Sequence, residues 1–330
     1  MNSTQNSELK IRFLLWRGGY NSYFHEPTAR MRGIRIYEAL QARGIDAARW
    51  DERENADVIV VQYDPGRIAR ADMFCEHVVW DCNDSVFQES HPFSKSISQA
   101  TNLASWVTCG STRIREHMRR FFDPERTSYW REMVDPMYDG VVRAPEGTGR
   151  ILWMGGVDNI QFFETCDAAL ERLAKVRPFT VVFCCPLGVR NDDIIKGKLY
   201  PTEFVEWTWD GDVPTSIIRE MGMADLAIVP LSQTSWCWSK SPGKAATFAA
   251  QGIPVVASDV PSYREFIING ENGFLAFGPD DWDEPLGELL EDQGLRERMG
   301  AEGRETARAR YSIDAVVDEF CEVLGKLAMA

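Results

Sequence analysis

A lysine at the start of a predicted helix is the residue of this sequence whose position most needs a chemical explanation. Pro242 and Gly243 open a helical segment, and Lys244 falls in its first turn, ahead of a buried strand predicted at 254–258. A helix N-terminus carries unpaired N–H groups and partial positive charge, so it favours anions over cations. The position of Lys244 therefore indicates that a strongly negative ligand binds there; the alternative is a solvated helix residue.

A pair of glycines follows the first predicted strand, which covers residues 11–16. Gly18 and Gly19 lack a Cβ, so their backbone N–H groups can come close to a phosphate. Ligands of open α/β sheets bind outside the carboxyl ends of the strands, which is where this loop falls. A phosphate-binding loop and a plain strand-to-helix turn are both compatible with these two residues.

Short apolar runs alternate with helical patterns along the whole chain. Helical patterns occur, for example, near Arg30–Arg43 and Phe163–Lys175. Strand-like runs cover 11–16, 57–62, 77–81, 105–109, 151–156, 179–185, 204–209, 225–231, 254–258 and 273–277. This alternation is typical of parallel βαβ units. The polar, Pro- and Gly-rich connector at 144–149 predicts a linker between two α/β domains, because 330 residues exceed a comfortable single core.

The net charge of −14 is unevenly distributed along the chain. Residues 1–145 hold 19 Lys+Arg against 20 Asp+Glu, and residues 146–330 hold the remaining 17 against 30. An acidic second half argues against broad nucleic-acid binding, which requires neutralisation of phosphates. The first half contains a basic run, interpreted either as a solvated helix face or as a patch for an anionic acceptor or a peripheral membrane surface. Its members are Arg113, Arg115, Arg119, Arg120, Arg126 and Arg131.

Cysteine and histidine usage favours a reducing compartment and gives no metal-site pattern. Eight cysteines lack paired C-x-x-C spacing, and the four histidines lie far apart in sequence. This pattern predicts reduced thiols and a cytoplasmic protein without a His-based metal cluster. The sequence has no apolar run of the roughly 18 residues that a membrane span requires, and its polar first ten residues lack the apolar core of a signal peptide.

Residues 244–277 read KAATFAAQGIPVVASDVPSYREFIINGENGFLAF. This stretch resembles the donor-site core of GT-B glycosyltransferases, particularly glycosyltransferase family four. Members of that family commonly show K-x-x-E-x-x-A-x-G-x-P-V-V-A-S, followed by P/G-x-x-E-x-I-x-x-G-x-N-G-x-L. Residues 223–231, 289–312 and 133–139 resemble the strand before the donor loop, the C-terminal helices and the interdomain segment. The first half matches in architecture and in its Gly-Gly loop.

The resemblance implies an α/β, GT-B fold with two Rossmann-like, doubly wound parallel-sheet domains that face a central cleft. We expect an acceptor-side domain at 1–145, a nucleotide-sugar donor domain at 146–312, and a C-terminal helix within 313–330. The resemblance and the apolar stripe of that helix predict that it crosses back onto the first domain.

The activity implied by the resemblance is transfer of a sugar from a nucleotide-sugar donor to an acceptor hydroxyl. The family implies retention of anomeric configuration, with the leaving phosphate helping to deprotonate the acceptor. It also implies a metal-independent reaction without a cofactor, because protein cations replace the metal. The expected donor is a UDP- or GDP-sugar, and the unidentified acceptor is a glycan, a lipid-linked molecule or a small molecule.

Lysines supply the cations in this interpretation. Negative charge builds on the β-phosphate of the donor as the glycosidic bond breaks, so groups aimed at it stabilise the transition state. Lys244, with Ser241 and Gly243 at the helix start, suits this role. The chain resembles a subgroup with a second lysine four residues earlier, Lys240. The Gly-Gly loop of the first domain would approach the same diphosphate.

The remaining donor contacts are implied by position. Two family glutamates eight residues apart, of which the second contacts the donor ribose, correspond to Ser239 and Thr247. A threonine hydroxyl makes fewer bonds to a ribose than a carboxylate does. Trp207 lies where the family holds the nucleobase, and the alternative is a core aromatic. Glu265 is expected near the ribose or sugar; the alternative is a capping box with Ser262.

Two aspartates at the end of the strand predicted at 77–81 are the acceptor-side candidates. Asp81 and Asp84 could orient an acceptor hydroxyl or act as a base, with Asp84 the candidate catalytic residue. The alternative is that they cap helices or turns.

Two other functions share this fold. A degenerate GT-B protein would bind a nucleotide or a partner without turnover, and the loss of both family glutamates favours this alternative. A sugar-nucleotide 2-epimerase would need an acid/base set that the sequence does not reveal.

Overall fold

The computed structural model describes residues 9–16, 29–84, 96–143, 147–186, 188–190, 194–210 and 213–329. These residues belong to two compact units. The first unit comprises Met1–Asp135, Trp238–Ser241 and Arg310–Ala330, and the second comprises Pro136–Cys237 and Pro242–Ala309. The division falls at Asp135–Pro136, before the connector that the sequence suggested, and the chain later returns to the first unit twice.

The first unit is built on a six-stranded parallel sheet with the order β2-β1-β3-β4-β5-β6. Its strands are β1 (Lys10–Leu14), β2 (Asp46–Arg49), β3 (Ala56–Gln62), β4 (Cys75–Cys82), β5 (Trp106–Cys109) and β6 (Thr127–Tyr129). The strand order reverses between β1 and β3, and the carboxyl ends of the strands at such a switch point form the usual ligand crevice of an open α/β sheet.

The second unit repeats this architecture with the order β12-β11-β10-β7-β8-β9, again all parallel. Its strands are β7 (Arg150–Met154), β8 (Thr180–Cys185), β9 (Thr202–Glu206), β10 (Leu226–Val229), β11 (Val255–Ser258) and β12 (Phe274–Ala276). Counted within the unit, this is the 3-2-1-4-5-6 order of dinucleotide-binding folds, with its switch point between β7 and β10.

Helices connect the strands, as parallel pairing requires. The α-helices are α1 (Arg35–Ala42), α2 (Ile68–Asp72), α3 (Ile97–Leu103), α4 (Thr112–Met118), α5 (Asp167–Leu173), α6 (Thr215–Met223), α7 (Ser235–Trp238), α8 (Gly243–Ala250), α9 (Asp283–Glu291), α10 (Gln293–Tyr311) and α11 (Ile313–Leu327). A π-helical turn at Arg30–Ile34 leads into α1, and 3₁₀ turns occur at Val157–Thr165 and Tyr263–Glu265. No helix within the described ranges is both long and apolar enough to cross a membrane.

The last helix, α11, packs into the core of the first unit. Ser312 caps it by accepting a hydrogen bond from the N–H of Ala315. Trp130 is fully buried, donates its indole N–H to the carbonyl of Val316 at 3.0 Å, and stacks on Phe320 with ring centroids 4.8 Å apart. The buried apolar face of the helix comprises Val316, Val317, Phe320, Val323, Leu324 and Leu327. This stripe covers the same core as the inner residues of β1 and β3.

The predicted apolar runs correspond to strands in both sheets, but two edge strands and one helix differ from expectation. β2 reads DAAR and β6 has only three residues, so neither carries an apolar run. The helix expected near Phe163–Lys175 is a 3₁₀ segment followed by α5, because the backbone of Cys166, at φ −130° and ψ −11°, interrupts it.

Candidate functional site

Lys244 lies in the first turn of α8, as the sequence indicated. The connection from β10 to β11 runs through α8, so the helix begins at the carboxyl edge of the sheet beside the switch point. Pro242 occupies the N-cap position and, within the described chain, supplies no side-chain cap. The N-terminus of α8, with its partial positive charge, and the half-buried ammonium of Lys244 therefore both lie at the carboxyl edge of the sheet.

A thiol at the end of β8 shows how far the charge of Lys244 reaches. Burial raises the pKa of Cys185 to about 12, and the positive charge of Lys244 acts against this rise. β8 lies beyond β7 from β10, so the lysine charge acts across the switch point.

Trp207 contacts the same end of β8 through its backbone. It follows β9, and its backbone N–H donates to the carbonyl of Cys185 at 2.8 Å. Its half-buried ring packs edge-on against Trp209, with centroids 6.4 Å apart and an interplanar angle of 70°. The structure thus places Lys244 and Trp207 at the same carboxyl edge of the second sheet, where Cys185 ends one of the strands between them.

The segment before α8 belongs to the first unit, so Lys240 and Lys244 lie on different units. Ser239 is buried, and its carbonyl accepts a hydrogen bond from the hydroxyl of Ser111 at 2.8 Å. The hydroxyl of Ser241 donates to the carboxylate of Glu132. Lys240, half-buried, stands between these two anchored residues.

Within α8, Gly243 and Thr247 are buried on successive turns. Thr247 follows Lys244 by three residues, and residues at that spacing lie on neighbouring turns of one face.

Glu265 ends the short 3₁₀ turn that follows β11, where it is half-buried. The capping-box alternative is wrong. Ser262 has helical torsion angles, φ −68° and ψ −31°, and among the described residues its side chain makes no capping hydrogen bond. The 3₁₀ turn is closed by backbone bonds instead, the N–H of Glu265 donating to the carbonyl of Ser262 at 3.2 Å.

The structure also corrects the expectation for Asp81. Its side chain is fully buried and accepts hydrogen bonds from Arg32 and from the hydroxyl of Thr108 at 2.9 Å. A carboxylate committed to a buried guanidinium is unavailable to take a proton from an acceptor, so Asp81 is structural. Asp84 lies just after β4 at the carboxyl edge of the first sheet and is half-buried.

The sequence of β4 indicated that Asp81 has a partner, because a charge in an otherwise apolar strand needs a buried partner. Nothing in the sequence identified Arg32 as that partner. Glu132 was missed for the same reason, since its contact with Ser241 joins residues far apart in the chain.

Two further expectations concern the Gly-Gly loop and a metal site. Gly18 and Gly19 lie outside the described residues. In the part of the chain that the structure does describe, no group of three or more His, Cys, Asp or Glu side chains is placed to hold a metal ion.

Three arginines of the basic run in the first half form ion pairs with carboxylates. Arg113 pairs with Glu116, Arg126 pairs with Asp123, and Arg131 pairs with Glu319 of α11. The first two pairs favour the interpretation of the run as solvated helix and turn surface, whereas Arg131 joins the segment after β6 to the last helix.

Comparison with known proteins extends the resemblance found in the sequence. Residues 201–306 match the family described as glycosyl transferases group 1. D-inositol 3-phosphate glycosyltransferase from Corynebacterium diphtheriae is 32% identical over 119 residues, which cover 35% of this chain and 26% of that protein. The enzyme of the same name from Xylanimonas cellulosilytica is 37% identical over 81 residues, 24% of this chain and 19% of that protein. The matches therefore span about a quarter or less of these relatives.

Solved structures match nearly the whole chain. Anabaena HepE, in complex with UDP-glucose, has a TM-score of 0.69 at 14% identity and covers 96% of this chain and 100% of that chain. A glycosyltransferase from Rickettsia africae has a TM-score of 0.71 at 12% identity, covering 97% and 99%. WaaG, a glycosyltransferase involved in lipopolysaccharide biosynthesis, has a TM-score of 0.63 at 14% identity, covering 93% and 98%. The predicted GT-B fold and the resemblance to group 1 glycosyltransferases are confirmed.

Proposed function

We propose that this chain, which has the GT-B fold and carries a group 1 glycosyltransferase region, transfers a sugar from a nucleotide sugar to an acceptor hydroxyl. The observation that carries the proposal is that Lys244, in the first turn of α8, and Trp207, just after β9, both lie at the carboxyl edge of the sheet in the second unit, within the region that matches the glycosyltransferase family. A cation at a helix start suits a diphosphate, and an aromatic ring nearby suits a nucleobase.

In this proposal the second unit acts on the leaving group. The bond between the anomeric carbon and the β-phosphate oxygen breaks, and its electron pair remains on the phosphate. The acceptor oxygen bonds to the anomeric carbon, and its proton passes to the leaving phosphate, so charge and atoms balance. The ammonium of Lys244 and the N–H groups of α8 gain most from the phosphate when its charge is greatest, which is the condition for lowering the barrier.

UDP is the nucleotide we assign first. HepE, which shares the fold, was solved with UDP and with UDP-glucose. The hydroxyl of Thr247 replaces the carboxylate expected at the ribose, so we expect weaker ribose contacts and a larger share of affinity from the diphosphate. Lys240 and Glu265 complete the donor contacts of the proposal, and GDP-sugars are its second donor class.

We propose that the first unit binds the acceptor. We also propose that the anomeric configuration is retained, so that the acceptor bonds to the same face of the sugar that the phosphate leaves. Asp84 is the acceptor-side residue of this scheme. Asp84→Asn should lower transfer while leaving UDP affinity unchanged, and Asp72→Asn, on the exposed end of α2, is its matched control. Loss of UDP affinity in a folded Asp84 variant would remove Asp84 from this role.

The test of the function is a donor panel. UDP, GDP and their hexose derivatives are first screened by thermal shift, because a ligand at one hundred times its Kd stabilises by about 2.7 kcal/mol. Donors that bind are then incubated with and without a hydroxyl acceptor such as D-inositol 3-phosphate, which is named for two of the relatives, and nucleotide release and sugar transfer are measured. Release or transfer supports the proposal, and NMR of the new anomeric centre decides retention. Binding without release over the whole panel would contradict it.

A further inference from the structure

A cavity of about 340 Å³ on the second unit lies away from the site described above and is lined by Arg143, Arg296 and Arg304. Asp225 and Gly252, which also line it, stand just before β10 and β11. The cavity is therefore at the amino-terminal edge of the sheet, whereas α8 begins at the carboxyl edge. A ligand in this cavity would not occupy the proposed donor site.

One face of α10 forms a wall of the cavity. Arg296, Gly300 and Arg304 recur at helical spacing, and the two arginines are about 12 Å apart along the axis. The glycine between them packs on the turn at Gly252 so closely that a Cβ there would lie 2.3 Å from the carbonyl of Gly252. On the row of α10 that runs from Arg296 to Arg304, Gly300 therefore contributes no side chain.

Each of the three arginines is held in place by a neutral main-chain oxygen. The bonds run from Arg143 to the carbonyl of Met221 (2.7 Å), from Arg296 to that of Leu289 (2.7 Å), and from Arg304 to that of Gln251 (2.8 Å). Carbonyl oxygens position a guanidinium without neutralising it. In the described part of the chain the buried Nε of Arg304 has no hydrogen-bond partner.

The acidic residues of the cavity compensate this charge incompletely. Asp225 uses one carboxylate oxygen to accept the backbone N–H groups of Thr148 and Gly149, and its other oxygen is 3.8 Å from Nε of Arg296. Glu297 is exposed at the rim and accepts from Gln293. Three positive side chains thus face two negative ones, in a half of the chain that is otherwise strongly acidic.

The arginines also act on one another. Burial lowers the pKa of Arg143, Asp225 opposes that change, and the charges of Arg304 and Arg296 lower the pKa further. Like charges that line one cavity repel, and an anion among them would relieve the repulsion.

We infer that this cavity is a phosphate site, taking the phosphomonoester group of a small metabolite or free phosphate. Guanidinium groups bind phosphate oxygens in paired, charge-assisted hydrogen bonds, and three of them line one cavity here. The volume lies in the range of about 300–1,000 Å³ that small-molecule pockets occupy, which accommodates a sugar phosphate.

The experiment is a titration of the full chain with glucose 6-phosphate, inorganic phosphate and glucose, against NaCl at matched ionic strength. Affinity is measured by calorimetry and melting temperature. We expect both phosphates to bind, and glucose and NaCl to have no effect. Tighter binding of glucose 6-phosphate assigns the site to a phosphorylated metabolite, and equal binding assigns it to the phosphate ion.

Variants separate this cavity from the nucleotide site. Arg304→Gln, and independently Arg296→Gln, should weaken phosphate binding about tenfold or more. Arg298→Gln, an exposed arginine of the same helix outside the cavity, is the matched control and should bind like the wild type. Lys244→Ala should also retain phosphate binding. Absence of binding to the wild type, unchanged binding in both cavity variants, or loss in Lys244→Ala would overturn the inference, whatever the outcome for the glycosyltransferase activity.

Discussion

Arg32 and Asp81 form a two-pronged ion pair that is closed off from solvent. Nη2 of Arg32 is 2.5 Å from Oδ1 and Nε is 2.9 Å from Oδ2, and the two side chains are 1% and 0% exposed. The guanidinium also donates to the carbonyl of Trp130 at 2.8 Å and lies 4.4 Å from the centre of that ring. The pair therefore joins the π-helical turn, β4 and the segment after β6 into one structure.

Removing one partner should be far worse than removing both. Asp81→Ala leaves a buried guanidinium without its counter-ion, and we expect a loss of about 3–5 kcal/mol in the free energy of unfolding. Arg32→Met combined with Asp81→Leu removes both charges and should recover much of that loss. Urea unfolding of the two variants measures this difference, and an Asp81→Ala loss below about 1 kcal/mol would show that the pair is not structural.

The last helix should contribute much of the stability of the first unit through one aromatic residue. Phe320 is fully buried and stacked on Trp130, so Phe320→Ala should lower the free energy of unfolding by about 3–5 kcal/mol. Phe121, 58% exposed on the same unit, is the matched control, and its alanine variant should change stability by about 0.5 kcal/mol or less. Equal effects of the two substitutions would mean that α11 does not complete the core.

Lys244 should matter for nucleotide binding and for turnover, and not for folding. Removing a charge-assisted contact costs roughly 1.5–3 kcal/mol, so Lys244→Ala should weaken UDP binding by about tenfold to a hundredfold. Turnover should fall by about a hundredfold or more, because the charge on the phosphate grows in the transition state. Calorimetry with UDP and the donor assay measure the two effects.

Two further variants sharpen this test. Lys244→Arg should recover only part of the affinity, since a planar guanidinium cannot place its charge as a compact ammonium does. Lys175→Ala, at an exposed position of the same unit, makes the same change of charge and should leave UDP binding unaltered. Wild-type affinity in a folded Lys244→Ala protein would leave the lysine as a solvated helix residue.

Alkaline pH should destabilise the protein through its buried thiols. Burial raises the pKa of Cys185 from 9.0 to about 12, so between these values the unfolded chain loses this proton and the folded chain keeps it. Stability then falls as pH rises, by up to about 1.4 kcal/mol per pH unit for each such thiol. Urea unfolding from pH 8 to pH 10 should show a smaller fall in Cys185→Ala than in the wild type. Identical slopes would mean that Cys185 titrates alike in both states.

The sequence predicted those parts of the fold that local pattern controls. Central strands such as β3 and β8 are buried on both faces and read as continuous apolar runs, which made them visible. The edge strand β2 has one buried residue among four, so nothing in its composition distinguishes it from a turn. The amphipathic stripe of α11 indicated that the helix needed an apolar surface, and its contacts with Trp130 supply one.

The site was predictable where one motif holds it and unpredictable where distant segments meet. Lys244 could be identified from the sequence because a cation is unexpected in the first turn of its own helix, where the helix N-terminus is already partly positive. Arg32, which pairs with Asp81, and Glu132, which accepts from Ser241, are placed by tertiary packing of segments far apart in the chain. The cavity arginines are a further case, because Arg143 and Arg304 line the same cavity although they are far apart in the chain.

The discontinuity of the first unit sets the order in which a ribosome can complete the protein. The indole of Trp130 donates a hydrogen bond to the carbonyl of Val316, 186 residues later. The first part of the first unit therefore leaves the exit tunnel long before the helix that completes its core. The second unit ends at Ala309 and has all of its strands available earlier. Closing the first unit also requires a contact of very large sequence separation, which is slow to form. We therefore expect the second unit to be the first to become protease-resistant on stalled nascent chains, and the N-terminal unit, although made first, to be the last to mature.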